Sequence, residues 1–421
     1  MRICVIAGFF GAIVLCCLFL AASRRALSPV HAKDNAVQIK ASTSARSGYV
    51  GDAACASCHR QQSIFYSHTA HALTSQLADG NSILGSFRSG SNLLMIATPE
   101  TTNRSARLYF RMEKKNGGYY QTAVAERGTR RLAQSERIAL LIGSGKWGQS
   151  YLYWHGDQLY ELPVSYWTDG RQWINSPGYT DGTANFTRRV DPRCMECHAT
   201  YIQALSPDPQ MNRYDKASLI LGISCETCHG PGARHVALEK ASSGKPSSVA
   251  AHAILNPADF SRDRQVDLCA LCHNGTQREG LLPAFSYRPG DRLDDYFAPN
   301  PLAVTEQADV HGNQVGLLKM SRCYRSSPSM TCSTCHNVHA PERTLADYSQ
   351  RCLQCHTWQS CGVAKRMGIR STRDCIDCHM PLERTNAIVS VTAGKTLHAS
   401  IRSHWIKVYP STRTPDGPAH R

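Results

Sequence analysis

Three hydrophobic patterns follow one another along the chain. Residues 3–22 are apolar apart from three cysteines, and residues 33–48 are polar or small with no apolar period. Between residues 105 and 180, apolar and polar positions alternate in short runs that glycine-containing turn sequences separate. A period of two is typical of β-strands, so this interval predicts an antiparallel β-meander. From residue 191 onwards we expect short helices and irregular segments.

The apolar amino terminus predicts export. A short basic start, Met1 and Arg2, precedes the apolar run, and small residues follow it at positions 21–23 and 30–32. This order is typical of a cleaved signal peptide, so we assign residues 1–32 to one. Because 20 apolar residues also suffice to cross a bilayer, an uncleaved membrane anchor is the alternative. Residues 33–48 are then a linker, and residues 410–421 a tail.

The composition is unusual in its cysteine and histidine content. The 421 residues include 19 cysteines and 18 histidines, which in an exported or cytosolic chain points to cofactor or metal binding. The formal charge of +15 falls to +12 without residues 1–32, which hold three arginines and no acid. A basic balance is typical of nucleic-acid binding. Seven bound haems with two propionates each would add a charge of about −14 and bring the protein near neutrality. We therefore expect no nucleic-acid partner.

The sequence Cys-x-x-Cys-His occurs seven times, against a chance expectation of about 0.04 copies. Its cysteines are Cys55 and Cys58, Cys194 and Cys197, Cys225 and Cys228, Cys269 and Cys272, Cys332 and Cys335, Cys352 and Cys355, and Cys375 and Cys378. Its histidines are His59, His198, His229, His273, His336, His356 and His379. We number the motifs 1 to 7 in chain order.

This spacing fits covalent attachment of haem c. Two thiols three positions apart lie on one face of a helical turn, where they form thioethers with the two vinyl groups of one haem. The adjacent histidine then supplies the proximal iron ligand. A zinc site does not demand a histidine after every cysteine pair, a thioredoxin-like motif occurs once, and an iron–sulfur protein has denser cysteine runs. The sequence therefore predicts seven haem c groups.

The motifs are unevenly distributed, which predicts the architecture. Motif 1 stands alone, whereas motifs 2 to 7 lie within residues 194–379, or 31 residues per motif. So short a chain cannot enclose six macrocycles separately. We therefore predict a mainly α and irregular multihaem cytochrome c wrapped around stacked haems, with the β-meander inserted between motifs 1 and 2. The expected segments are a first haem segment at 49–86, a β-rich insertion at 87–190 and a hexahaem domain at 191–409.

Other histidines are candidates for the second axial position. A buried haem iron favours a second imidazole nitrogen. From their positions beside motifs or in otherwise unexplained segments, the distal candidates are His71, His235, His311, His339 and His404. His68 is the alternate to His71 and His398 is a reserve, whereas His155 and His252 are expected in turns or loops.

Two cysteines, Cys323 and Cys361, lie outside the motifs. In an exported protein a leftover pair suggests a disulfide. Independent buried thiols are the alternative.

The chain resembles a family of exported multihaem cytochromes associated with tetratricopeptide proteins. The resemblance rests on Tyr-Val-Gly-Asp-Ala-Ala before motif 1, Gly-Pro-Gly-Ala-Arg-His after motif 3, Asn-Val-His after motif 5 and Met-Pro after motif 7. These sequences are similar to the broad superfamily of hydroxylamine oxidoreductase and pentahaem nitrite reductase, in which histidines at the places of His235 and His339 are distal ligands. No motif reads Cys-x-x-Cys-Lys, so the lysine-ligated catalytic haem of the nitrite reductase has no counterpart.

Two functions are compatible with this sequence. The first is an exported, periplasmic electron carrier that relays electrons through closely packed, mostly bis-histidine haems. Its expected partners are redox proteins or quinol-oxidising membrane complexes, with self-assembly as a further option. The second is an enzyme in which one haem lacks its sixth ligand and converts a small nitrogen or sulfur compound. An open iron site distinguishes the two.

Overall fold

A computed structural model of the chain describes residues 48–96, 106–242, 249, 253–275, 278–306, 308–368 and 372–409. The predicted signal peptide, the linker up to residue 47, the tail and His252 lie outside these residues. In the described ranges, no helix has the length and apolar character needed to cross a bilayer.

Strands and short helices alternate in blocks. The strands are β1 Ser75–Leu77, β2 Leu93–Met95, β3 Ala106–Lys115, β4 Gly118–Arg127, β5 Arg130–Arg137, β6 Leu140–Ile142, β7 Gly148–His155, β8 Gln158–Glu161, β9 Val164–Trp167, β10 Gln172–Asn175, β11 Arg188–Arg189, β12 Ala199–Ala204, β13 Tyr214–Leu221, β14 Leu382–Thr392 and β15 Lys395–Arg402. The helices are α1 Asp52–Ala56, α2 Arg60–Tyr66, α3 Pro192–His198, α4 Cys225–His229, α5 Ala233–Ala241, α6 Arg262–His273, α7 Gln314–Met320, α8 Arg322–Ser326, α9 Leu345–Cys352, α10 Ala364–Met367 and α11 Cys375–His379. Single 3₁₀ turns are Pro209–Met211, Pro257–Asp259, Leu293–Asp295, Pro301–Val304, Cys332–Thr334 and Trp358–Ser360.

The alternating interval forms two antiparallel sheets rather than one meander. Strands β2 to β5 pair in sequence order as a four-stranded sheet. Strands β1, β6, β7, β8 and β11 form the main path of a seven-stranded sheet, in which β9 branches from β7 and β10 pairs with β9. The tight β3–β4 turn uses Asn116 and Gly117, both with positive φ (50° and 70°), as a two-residue hairpin requires.

The two sheets share an ordinary apolar core. The inward positions of the alternating strands supply 13 buried residues between 94 and 186, including the fully buried Phe110, Met112 and Leu141. Aromatic rings fill its centre, where Trp173 packs edge-on against Tyr166. The tryptophan and tyrosine residues of this interval are therefore mainly sheet core.

A second apolar cluster joins the sheets to motif 2. Leu140, Leu152 and Leu159 of the seven-stranded sheet pack with Met195, which lies between the two cysteines of motif 2. Tyr214 of β13 belongs to the same cluster, and its hydroxyl donates to the Val190 carbonyl at 2.5 Å. Motif 2 is therefore fixed against the β-rich part of the chain.

The remainder of the chain also holds strands, which the sequence interpretation did not include. The hairpins β12–β13 and β14–β15 lie inside the segment expected to be helical and irregular, and β1 lies inside the predicted first haem segment. Helix and sheet are thus mixed along the chain. The second hairpin adjoins the large sheet, since the Asn175 N–H donates to the Thr392 hydroxyl at 2.8 Å.

Helices α6 and α7 surround a third, smaller apolar cluster. Its buried members are Val266, Ala270, Leu293, Phe297, Val315 and Tyr324. Ala270 lies between the cysteines of motif 4, so this cluster packs directly on that motif.

Candidate haem-binding sites

Each motif occupies one turn of helix or its immediate continuation. Motif 1 runs from α1 to the start of α2, motifs 2, 3 and 7 lie in α3, α4 and α11, and motifs 4 and 6 begin in the last turns of α6 and α9. Motif 5 lies in a 3₁₀ turn. The N–H of the motif histidine donates to the carbonyl of the first cysteine, for example from His59 to Cys55 at 2.8 Å. This turn directs both thiols to one side, as attachment to one haem edge requires.

Four motif histidines face the ring of a histidine from a distant segment. The centroids of His59 and His235 are 6.4 Å apart, and those of His229 and His339 are 6.0 Å apart. The pairs His336–His404 and His273–His71 are each separated by 6.2 Å. The first three pairs are near parallel, within 25°, and the last is inclined at 71°.

This separation tests whether the residues fit a haem iron. A metal–imidazole bond is about 2.0–2.1 Å and the ring centroid lies about 1.1 Å behind the nitrogen, so two imidazoles on opposite sides of one metal ion have centroids about 6.3 Å apart. The observed 6.0–6.4 Å agrees with that value. The paired rings therefore fit axial ligation of haem.

A fifth distal candidate, His311, lies near motif 2. Burial, together with the neighbouring His311, lowers the pKa of His198 to about 4. The His311 Nδ1 atom is buried and has no hydrogen-bond partner among the described residues. All five distal candidates thus lie near a motif histidine of another segment.

His356 and His379 differ from the other five motif histidines. Within the described residues, no imidazole ring faces either of them, and His356 is exposed. The alternate His68 and the reserve His398 face no motif histidine among the described residues; their Nδ1 atoms lie 2.9 Å from the Ile64 carbonyl and 3.0 Å from the Thr385 carbonyl. Motifs 6 and 7 are the sites at which the described residues supply no second imidazole.

Hydrogen bonds at Nδ1 orient several motif histidines. The partners are the Thr74 hydroxyl for His198 at 3.0 Å, the Leu255 carbonyl for His229 at 2.8 Å, the Gln314 amide oxygen for His273 at 3.0 Å and the Lys407 carbonyl for His379 at 2.8 Å. A carbonyl acceptor requires the proton on Nδ1, which leaves the Nε2 lone pair for a metal.

Burial keeps the distal rings neutral. It lowers the pKa of His71 to about 4, assisted by the nearby His273 and His336. Burial likewise lowers the pKa of His404 to about 4, with His336 adding to the effect. Neutral imidazole is the form that binds a metal, so these side chains are ligand-competent at neutral pH.

Thiols of different motifs also meet. The Cys55 and Cys225 thiols lie within hydrogen-bonding reach of each other, as do those of Cys197 and Cys272, and those of Cys269 and Cys332. These contacts connect motif 1 to motif 3, motif 2 to motif 4, and motif 4 to motif 5. The attachment points are adjacent in space although far apart in sequence.

An important structural residue, Glu226, was missed by the sequence interpretation. It lies between the cysteines of motif 3, is 1% exposed, and its carboxylate accepts from the N–H groups of Val50, Gly51 and Gly232, each at 2.9 Å. It therefore fixes the chain before motif 1 against the turn after motif 3. The only signal in the sequence is an acidic residue inside a motif, which is too common to predict burial.

Two points of local structure that the sequence raised are answered here. Of the two alternatives for Cys323 and Cys361, the structure has free thiols. Cys323 lies near Cys335 and Cys352, whereas Cys361 lies near Cys378, so each neighbours a motif cysteine instead. His339 is not one helical turn beyond His336, because Asn337 accepts from the His339 N–H and begins a turn there.

Comparisons with known proteins also point to c-type cytochromes. The family model of cytochrome c554 and c-prime matches residues 172–230, which contain motifs 2 and 3. The C-type polyheme cytochrome OmcB of Geobacter sulfurreducens, from each of two strains, is 32% identical over 88 residues. The chain is a multihaem c-type cytochrome. Covalently attached haem c is the cofactor that these matches and the seven motifs imply.

These matches are local in sequence. The segment shared with OmcB is 20% of this cytochrome and 9% of OmcB, so the chain spans a small part of that relative. The crystal structure of the outer cell wall cytochrome OcwA is similar over 86% of this chain and 80% of that one, with a TM-score of 0.52 and 17% identity. That likeness shows a shared fold. Membership of the superfamily of hydroxylamine oxidoreductase and nitrite reductase stays a prediction.

Proposed function

We propose that this cytochrome is an exported seven-haem electron relay in which at least five haems have two histidine ligands. The observation that carries the proposal is the set of four facing imidazole pairs with centroids 6.0–6.4 Å apart. Imidazole on both faces of the iron excludes exchangeable ligands, which suits electron transfer rather than substrate binding.

The residues of this chain would hold the cofactors as follows. The seven cysteine pairs supply the thioether links, and the seven motif histidines supply the proximal nitrogens. His235, His71, His339 and His404 supply distal nitrogens to the sites of motifs 1, 4, 3 and 5, and His311 to that of motif 2. Haem c, when bound, supplies a one-electron iron couple at each site.

The order of the sites supports a relay. Thiol contacts link motif 1 to motif 3 and motif 5 to motif 4, and motif 2 branches from motif 4. Cys228 lies close enough to Cys269 to act on it, which joins motif 3 to motif 4. Cys352 is likewise close to Cys335 and Cys375, which extends the row from motif 5 through motif 6 to motif 7. Adjacent attachment points are what a row of neighbouring redox centres needs.

A second candidate function arises at motifs 6 and 7. Because the described residues place no imidazole opposite His356 or His379, either site is suited to an open haem. An open iron site would make the cytochrome an enzyme for a small nitrogen or sulfur compound. The relay remains the better supported function because five sites have a second histidine nearby.

Location and partners are part of the same proposal. An amino terminus with a short basic start and a long apolar run favours a periplasmic or otherwise exported protein. This segment is either a cleaved signal peptide or a membrane anchor. The partners that fit are redox proteins or a quinol-oxidising membrane complex, and copies of the chain are a further candidate. We propose no nucleic-acid partner, since bound propionates offset the basic charge.

Haem counting tests the proposal. A pyridine haemochrome assay and the intact mass of the matured protein should both give seven haems per chain. Six or fewer would refute the stoichiometry. Cys323→Ala and Cys361→Ala are matched controls and should retain all seven, because neither cysteine belongs to a motif.

A further inference from the structure

A buried arginine between motifs 2 and 4 has no adequate partner. The Arg278 side chain is 5% exposed, and its Nε and Nη1 atoms have no acceptor among the residues that the structure describes. Its nearest carboxylate is that of Asp294, 3.8 Å from Nη2 and with 71% of its side chain exposed. Burying guanidinium N–H groups without acceptors costs free energy, so we expect an anion beside this side chain.

The other nearby carboxylate is already used. Asp267 is close enough to act on the Arg278 charge, but its Oδ2 accepts from Arg264 Nη1 at 2.5 Å and from the Leu293 N–H at 3.4 Å. Burial lowers the pKa of Arg278, with Asp294 and Asp267 opposing the shift. The described carboxylates therefore leave two nitrogens of the guanidinium unsatisfied.

Arg278 lies beside two haem motifs. It follows His273 of motif 4 by five positions, and its Cζ is 4.8 Å from the centroid of Phe297, which packs against motif 4 through Ala270. Arg193, directly before motif 2, lies against the same ring at 4.7 Å. Arg193 is satisfied, since it pairs with Glu196 and the Leu282 carbonyl. Arg278 is the arginine at this junction whose Nε and Nη1 atoms have no acceptor among the described residues.

We infer that Arg278 binds a carboxylate, namely a propionate of the haem attached at motif 2 or motif 4; this rests on the proposed function. Each attached haem brings two carboxylates, and the Phe297 ring against which Arg278 lies adjoins both motifs, through Arg193 before motif 2 and through the cluster that contains Ala270 of motif 4. A guanidinium offers the planar, charge-assisted fork that a carboxylate matches. The positive charge also disfavours the ferric form, so Arg278 raises the potential of that haem.

The test is spectropotentiometric titration of the intact cytochrome with Arg278→Gln. The potential of one haem should fall by about 59 mV. At a fixed applied potential, the oxidised-to-reduced ratio of that haem then rises about tenfold, since the transfer involves one electron. The same potential should become pH dependent, because its propionate loses the cation that kept it ionised. Arg292→Gln is the matched control: it removes an equal charge from an exposed position and should shift no potential.

The results distinguish failure of the Arg278 assignment from failure of the proposed function. Seven haems in the haemochrome assay with unchanged potentials in Arg278→Gln would overturn the Arg278 assignment alone, whereas fewer than seven in the unmodified protein would overturn the proposed function. If Arg278→Gln does not mature, Arg278→Lys should still lower the same potential by a smaller amount, and no shift would contradict the inference. Titration of the unmodified protein with acetate should leave the potentials constant; an acetate dependence would assign the site to a free anion.

Discussion

The β-rich part and the motif-rich part of this cytochrome are stabilised in different ways. The two large sheets enclose 13 buried apolar residues between positions 94 and 186, a core that forms from the chain itself. The motif-rich part has six such residues in its own cluster, between positions 266 and 324. Apolar burial therefore accounts for the first part and is insufficient for the second.

Paired histidines take the place of a core in the motif-rich part. The ring opposite His59 comes from α5, the ring opposite His273 precedes β1, and the ring opposite His336 comes from the last described segment. Each pair closes only when distant segments are both in position. In this account the cofactor is part of the fold, because ligation joins segments that share few apolar contacts.

The largest effect should follow loss of a central attachment site. Replacing Cys269 and Cys272 of motif 4 with alanine should remove one haem and the His71–His273 link, and so disorder much of the motif-rich part. Limited proteolysis with mass spectrometry should then degrade residues 191–409 while the sheets around residues 106–175 persist. Cys323→Ala should retain the wild-type digestion pattern. An unchanged pattern in the double variant would show that the motif-rich part folds without this haem.

A cavity in the sheet core should destabilise the sheets and leave the haem sites intact. Phe110 is fully buried and contacts Phe186, so Phe110→Ala should cost about 3–5 kcal/mol in the free energy of unfolding of the sheets. The haem absorption spectrum should stay the same. Leu132→Ala, at a position 75% exposed, should change stability by less than about 0.5 kcal/mol. Loss of haem in Phe110→Ala would mean that the two parts fold as one unit.

Removal of one distal imidazole should leave every haem attached. His235→Ala should open one site and produce one high-spin ferric haem in the electron paramagnetic resonance spectrum, with seven haems still present. His68→Ala is the control, because its ring is exposed and bonds the Ile64 carbonyl within its own segment. An unaltered spectrum for His235→Ala would transfer the distal role to His398, His252 or His68.

A smaller effect should follow from the hydrogen bond behind a proximal ring. The Thr74 hydroxyl lies 3.0 Å from His198 Nδ1, and as an acceptor it increases the electron donation of that ring to iron. Thr74→Val should therefore raise the potential of one haem by less than about 59 mV, a shift below tenfold in the redox ratio. Potentiometry of Thr183→Val, an exposed control, should match the unmodified protein. A lowered potential would indicate that Thr74 donates this bond.

The motif chemistry could be predicted from the sequence because it depends on local spacing, whereas the distal ligands stay predictions. Cys-x-x-Cys-His specifies its own geometry within one helical turn, and the alternation near Tyr109 and Tyr151 specifies strands. The β14–β15 hairpin also had a signal, since polar and apolar residues alternate around the Ala393–Gly394 turn, where both residues have positive φ. In β12–β13 the register shifts twice, which obscures the alternation.

Other features depend on contacts between remote segments. Glu226 is buried because three backbone N–H groups from two segments converge on it, and no single window contains them. Arg278 resembles any surface arginine in the sequence, and only its burial reveals the missing counter-ion. Which motif each distal histidine faces is likewise a property of the assembled chain. His71, for example, faces motif 4 and not the neighbouring motif 1.

The spin state of each ferric haem in the unmodified cytochrome tests the central claim most directly. Electron paramagnetic resonance with spin quantitation, referred to the haemochrome count, should find at least five of the seven haems low-spin, as two imidazole ligands require. Any high-spin signal should correspond to no more than two haems, the number of sites, those of His356 and His379, that have no distal candidate nearby among the described residues. Three or more high-spin haems would contradict the relay of bis-histidine sites and favour the enzyme.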